Sequence, residues 1–390
     1  VSDLQPHSDI VNLADFIETG RLYRHHELEQ VEAYLPTGCR SNHASSLVEL
    51  DNGDLLCAWF AGSDEGTSDI KIYVSRLSKG VSVWSEPVRL SEDYTRSEQN
   101  PVLFQASDGM LWLLYTAQET RGCSLQEWKR LLAEGKAEGS FGRQETSEIR
   151  CRLSADRGLT WGPIQTVFSN PGAFCRQSIV VLSNGDWLFS MWYSTISDGT
   201  HYGGDVSVMQ ISRDQGQSWE EYPVPNSRGR VHASVIELEP GKLIAFFRSR
   251  SADLIYVSRS ADYGRNWTSP ERTGLPNNNS SIRAIRLQSG NIALIHNPVQ
   301  ANDDPSLTVW PYDRCPVTIA LSEDNGVSWP YMRHIATGEN FCGEHNRSSN
   351  RRYEYPYVIQ GRDGLLHVTY SHASRKCIKY ARVTEDWIKG

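Results

Sequence analysis

No run of 18 consecutive apolar residues occurs in the 390-residue chain, so the sequence offers no membrane-spanning helix. Basic blocks are missing too. Lys and Arg number 39 against 47 Asp and Glu, a net charge of −8, which argues against nucleic acid as partner. The eight cysteines (Cys39, Cys57, Cys123, Cys151, Cys175, Cys315, Cys342 and Cys377) include no C-x-x-C pair, and this speaks against structural zinc. The acidic pair Asp303-Asp304 lacks the ligand spacing of an EF-hand loop and reads as a solvated loop, so neither metal nor cofactor is expected. An even cysteine count fits disulfides, although spacing does not reveal their pairing. Sequons at Asn266, Asn278, Asn279 and Asn346, with a chain beginning at Val1 without a leader, suggest the processed form of a secreted, monomeric glycoprotein.

What the sequence has in quantity is Trp (12), Tyr (17) and Gly (30), the composition of many short strands joined by tight turns. One turn recurs four times. It reads Ser154-Ala-Asp156-Arg-Gly158-Leu-Thr160-Trp161, Ser212-Arg-Asp214-Gln-Gly216-Gln-Ser218-Trp219, Ser260-Ala-Asp262-Tyr-Gly264-Arg-Asn266-Trp267 and Ser322-Glu-Asp324-Asn-Gly326-Val-Ser328-Trp329. The Asp can accept hydrogen bonds from its own turn, Gly permits positive φ, and Trp buries a large apolar face. Such self-similarity marks a repeat architecture.

A second repeat interleaves with it. Alternating apolar strands flank a Gly turn at 43–60, 100–115, 176–192, 231–248, 281–296 and 355–370, with turn glycines Gly53, Gly109, Gly185, Gly241, Gly290 and Gly364. Each hairpin supplies the two inner strands of a blade and each Asp-turn the outer two. Blade one has only the degenerate turn Ser78–Trp84, and blade six has none. The expectation is one all-β domain over 1–390, a six-bladed β-propeller of four-stranded antiparallel blades. Seven blades follow only if 1–38 forms one. That segment, through Leu22-Tyr23-Arg24, is instead expected to close the ring by joining the last blade, which removes exposed sheet edges. Two insertions interrupt the rhythm. Residues 119–147 contain a Ser124-x-x-Glu127 capping box opening a short helix, and 298–314 form a long loop.

The two interleaved repeats resemble the sialidase-like family of repeat propellers over nearly the whole chain. That resemblance implies three arginines for a substrate carboxylate, a Tyr nucleophile with a Glu partner, and an Asp acid. Counting from the turn glycines puts Arg248, at the end of Leu243–Phe247, and Arg314 at two of the arginine positions. Tyr355 falls at the nucleophile, although neighbouring Tyr353, Glu354 and Tyr357 leave its register open. Asp64 falls near the acid. His43 and His232, each opening a His-Ala-Ser string, stand where the family has its first arginine and its Glu. Arg176 and Arg283 open other inner strands and are further candidates to bind sugar, with His201 and His296 behind them.

Two arginines imply an acidic carbohydrate substrate, and a histidine titrating near neutrality suits proton transfer. Within the family the chain is similar to fungal L-rhamnose-α-1,4-D-glucuronate lyases, which implies β-elimination at a uronate of arabinogalactan or gum arabic side chains. His43 or His232, with Tyr355 as partner, would then exchange the protons. An exo-sialidase and a non-catalytic carbohydrate-binding propeller are the alternatives.

Overall fold

The computed structural model describes residues 18–25, 29–139, 141–195, 202–311, 313–338 and 352–390. Residues 1–17, His201, Cys342 and the sequon at Asn346 lie outside the described residues. The strands form six separate antiparallel sheets, the blades of a six-bladed propeller. Their innermost strands are Ser41–Glu49, Arg96–Gln105, Ala173–Cys175 continued by Val180–Val181, Arg230–Glu239, Arg283–Arg286 and Glu354–Gln360. Each turns back through the glycine read from the sequence, with φ of 87° at Gly53 and 92° at Gly290, a region closed to most L-residues.

The Asp-turns join the third and fourth strands of blades two to five. At Asp156, Oδ1 accepts from the Leu159 and Thr160 amides at 3.1 and 2.9 Å, while Ser154 Oγ accepts from Gly158 N at 2.8 Å. The tryptophans of the motif then face the preceding blade. Trp267 of blade four packs with Leu182 and Leu188 of blade three. A Cβ added at Gly264 would lie 2.7 Å from Leu188 Cδ1, so this glycine also serves close blade packing.

The ring closes in blade six, where Gln30–Tyr34 pairs with Cys377–Val383. The closing strand is therefore a few residues later than Leu22–Arg24. Tyr23–His25 adds outside it as a fifth strand. The buried Lys379–Glu32 pair at 2.8 Å fixes this seam, and Trp84 of the degenerate turn packs edge-on to Tyr380 across it.

The first insertion forms the helix Leu125–Ala133, capped by Ser124 Oγ accepting from Glu127 N at 3.1 Å. In the second, Asp304 is held by its own loop and Asp303 by the strand Glu271–Pro276. Ser306 donates to Asp304, and Arg272 to the Asp303 carbonyl at 2.8 Å.

The structure also bears on the cysteines and the sequons. No disulfide joins two of the described cysteines. Cys57, Cys151, Cys175, Cys315 and Cys377 are buried and pack as small apolar side chains; burial pushes the thiols of Cys151, Cys175 and Cys377 up to about 12. The sequons at Asn278 and Asn279 are not glycan acceptors in the folded chain, because both side chains are buried. Asn278 Nδ2 donates to Asp313 O at 2.9 Å and Asn279 Nδ2 to Val309 O at 2.7 Å.

Candidate active site

Four inner strands bulge near their starts. Pairing shifts between His43 and Ser46, Gln99 and Val102, Val231 and Ser234, and Glu354 and Tyr357. Two residues then oppose one, and a left-handed residue enters: Ala44, Asn100, His232 and Tyr355, with φ of 59°, 49°, 57° and 53°. A bulge re-aims a side chain out of the ladder. Asn100, His232 and Tyr355 thereby line a cleft of about 300 Å³ at one mouth of the central channel.

This geometry separates the two His-Ala-Ser strings. Ser46 and Ser234 are the equivalent serines, since each lies seven residues before its turn glycine, Gly53 or Gly241. His232 occupies the bulge, whereas His43 precedes it and pairs with Phe60, the position of Glu354 in blade six. The histidines are offset by one residue because blade one carries an additional serine, Ser45, inside its bulge.

The structure nevertheless brings both histidines to Tyr355, whose ring lies 4.2 Å from that of His43 and 5.5 Å from that of His232. Tyr355 Oη accepts from Arg248 Nη1 at 2.5 Å, and His232 Nε2 lies 3.2 Å from the same nitrogen. The guanidiniums of Arg248, Arg176 and Arg314 stand 5.1, 5.5 and 5.7 Å from the phenol ring. Burial pushes the Tyr355 hydroxyl up, but Arg248 and Arg314 outweigh it and hold its pKa below that of an ordinary phenol. Burial keeps His232 and His43 neutral, reinforced by Arg248 at His232 and by Arg375 at His43. Ser281 Oγ and Ser371 Oγ orient their Nδ1 atoms at 3.0 and 2.8 Å.

The centre of charge is Glu354, one residue from Tyr355 and fully buried. It accepts from Arg314 Nη1 at 3.2 Å and from Arg375 Nη2 at 2.9 Å, is ion-paired with Arg352, and has His43 Nε2 3.4 Å away. Burial pushes its carboxyl up, yet Arg375 and Arg314 hold it well below the usual carboxylate range. Arg375 also pairs with Glu65 at the rim, 2.6 Å away. Arg250, gripped through two nitrogens by Asp205 at 2.6 and 3.0 Å, completes the cationic wall beside Trp310. The opposite wall is uncharged, built of Gln99, Gln118 and Gln144 with the rings of Phe174 and Trp192.

The remaining sequence candidates lie elsewhere. Arg248 is fully buried beneath Tyr355 and is not part of the cleft surface, whereas Arg314 is. Asp64 does not line the cleft; its carbonyl accepts from Thr67, and the neighbouring Glu65 lines it instead. Arg176 crosses the channel below the floor to Ser45 O at 3.0 Å. Arg283 faces the opposite mouth. His296 is buried against Pro276 O at 3.0 Å. Arg250, Arg352, Arg375 and Glu65 were missed. Glu354 was legible as a neighbour of Tyr355, but nothing local marks its ion pairs.

Six blades, Asp-turns and a cleft at the mouth of the channel define a sialidase-type propeller. The chain belongs to the BNR repeat-like domain family, whose model matches residues 53–368. No curated protein matches the sequence. Among solved structures, the Hadza microbial sialidase Hz136 superimposes with a TM-score of 0.69 at 17% identity, over 90% of this chain and 67% of that one. A protein of unknown function from Dyadobacter fermentans gives 0.68 at 16%, over 90% and 97%. The NanB sialidase of Streptococcus pneumoniae gives 0.65 at 15%, over 90% and 70%. At such identities these likenesses establish the fold, and what the cleft does must be argued from its residues.

Proposed function

We propose that the protein is a sialidase-type glycoside hydrolase that removes a terminal carboxylate-bearing sugar, with Tyr355 as nucleophile. One observation carries this reading. Tyr355 Oη receives a 2.5 Å bond from Arg248 on the floor of a cleft walled by Arg250, Arg314, Arg352 and Arg375. Among the described residues, Glu354 and Glu65 pair with the guanidiniums around Tyr355, whereas Arg248 bonds to Asn279, His232 and Tyr355 and to no carboxylate. The surplus favours a substrate carboxylate and stabilises the phenolate. The phenolate attacks the anomeric carbon, and the bond to the leaving oxygen breaks as Glu65 protonates it. Water then cleaves the Tyr355–sugar bond, its proton returning to Glu65. Gln99, Gln118 and Gln144 suit sugar hydroxyls.

A specific observation favours a second reading, β-elimination at a uronate. The Tyr355 hydroxyl is paired with Arg248 and not with a carboxylate, and the neutral His232 is 3.2 Å from that same guanidinium. Neutral imidazole or phenolate could remove the proton at C5 while the arginines stabilise the charge on the carboxylate. Incubation with a sialoside and with a rhamnosyl-α-1,4-glucuronate chain end separates the two. Free sialic acid supports the hydrolase. Free rhamnose with an unsaturated uronate chromophore, and no sialic acid, replaces it with the lyase.

A further inference from the structure

We propose that the central channel of the propeller binds a small monovalent anion of chloride's size, held by Arg176 below the floor of the cleft. Arg176 opens the inner segment of blade three, nine residues before Gly185. This is the slot that His232 and Tyr355 fill in blades four and six. Its side chain is fully buried and crosses the channel, where Nη2 donates to Ser45 O at 3.0 Å and to Tyr355 O at 3.2 Å. The other donors, Nε and Nη1, are buried without a hydrogen-bond partner, as are the hydroxyls of Ser45 and Tyr357. Ser45 is the residue Arg176 already touches, and the Tyr357 ring lies 5.2 Å from its guanidinium. Unsatisfied donors thus belong both to the buried cation and to two residues it touches.

Among the described residues, no carboxylate forms an ion pair with Arg176. The charged and titratable groups that act most strongly on Arg176 are Tyr357, Tyr355, Arg283 and Cys175. Arg283 stacks on the Tyr357 ring at 4.0 Å and bonds to Val358 O and Gln177 Oε1. Burial lowers Arg176 to about 10, so it stays protonated at neutral pH. A buried guanidinium without a counter-charge is strongly destabilised. Water can accept its hydrogen bonds but leaves the charge in place, whereas a halide does both. The opposite mouth of the channel supplies an entry, a cavity of about 650 Å³ lined by Arg283, Ser178 and Arg362. None of this depends on the reaction carried out in the cleft above.

The test is thermal unfolding of the whole chain in sodium chloride and in sodium gluconate at one ionic strength, with bromide-soaked crystals measured at the bromine edge. Binding to the native state alone raises the unfolding midpoint with chloride concentration. The expected result is a chloride-dependent rise, absent in Arg176→Met, and a bromide peak within hydrogen-bond reach of Arg176 Nη1. The proposal is overturned if the bromide map is empty at Arg176, or if Arg176→Met keeps the full chloride increment. Should that variant fail to fold, the bromide map of the unaltered protein decides alone.

Discussion

Buried titratable groups dominate the chemistry at the scale of single residues. Glu354 remains ionised at zero exposure because Arg314, Arg352 and Arg375 surround it and offset its desolvation. Histidines carry the complementary effect. His43, His232, His296, His367 and His372 are all buried, and burial is the largest cause lowering each, to about 4 for His296 and His367. In the unfolded chain these imidazoles titrate near the ordinary value of 6.5. Below that pH the unfolded state binds more protons than the native one, so stability falls as pH falls. The contribution is complete above about 6.5 and is lost progressively toward 4 and below, at up to about 1.4 kcal/mol per pH unit for each histidine. Urea unfolding between pH 7.5 and 4.5 should show a steep loss beginning near 6.5, shallower by roughly one proton's slope in His296→Leu. Equal stability at pH 7 and pH 5 would mean that these histidines are not neutral in the native state.

Among structural elements, the hairpin tip of blade six matters most to the cleft. Ala373, Ser374 and Arg375 all have left-handed backbones, with φ of 49°, 58° and 69°. Such a run persists only where surrounding contacts determine it. Asn42 supplies them: its amide donates to Arg375 O at 2.8 Å and its Nδ2 to Lys376 O at 2.9 Å, while Trp59 Nε1 donates to its Oδ1 at 3.0 Å. Asn42→Ala should loosen the tip and let Arg375 leave Glu354, raising KM roughly tenfold while kcat changes little, as expected for a positioning residue that has lost about one hydrogen bond's worth of order. A fall in kcat at constant KM would assign Asn42 a different part. Elements of this kind explain what the sequence could and could not disclose. Inner hairpins and Asp-turns were legible because strand alternation and glycine turns are local signals. The offset between His43 and His232 was not, because a bulge shifts register without changing the His-Ala-Ser string. Arg375 and Arg352 bear no motif, and a fold that brings residues some 310 positions apart to Arg375–Glu65 contact leaves no local trace. Two of the sequons misled because burial is a property of the folded blades.

For the molecule as a whole, six blades closed by an N-terminal strand make a rigid ring whose channel carries excess positive charge, from Arg176 at its centre to the cleft at one mouth. The family membership and the TM-scores near 0.7 concern this ring. The proposed reaction rests on Tyr355 at its mouth and on the guanidiniums that lower its pKa. That claim is tested most directly by trapping. Incubation with a fluorinated sialoside that slows release of the enzyme-bound sugar, followed by digestion and mass spectrometry, should yield a glycosyl adduct on the peptide containing Tyr355 and none in Tyr355→Phe. Turnover of the parent sialoside without any adduct on Tyr355, or with full activity in Tyr355→Phe, would contradict the account.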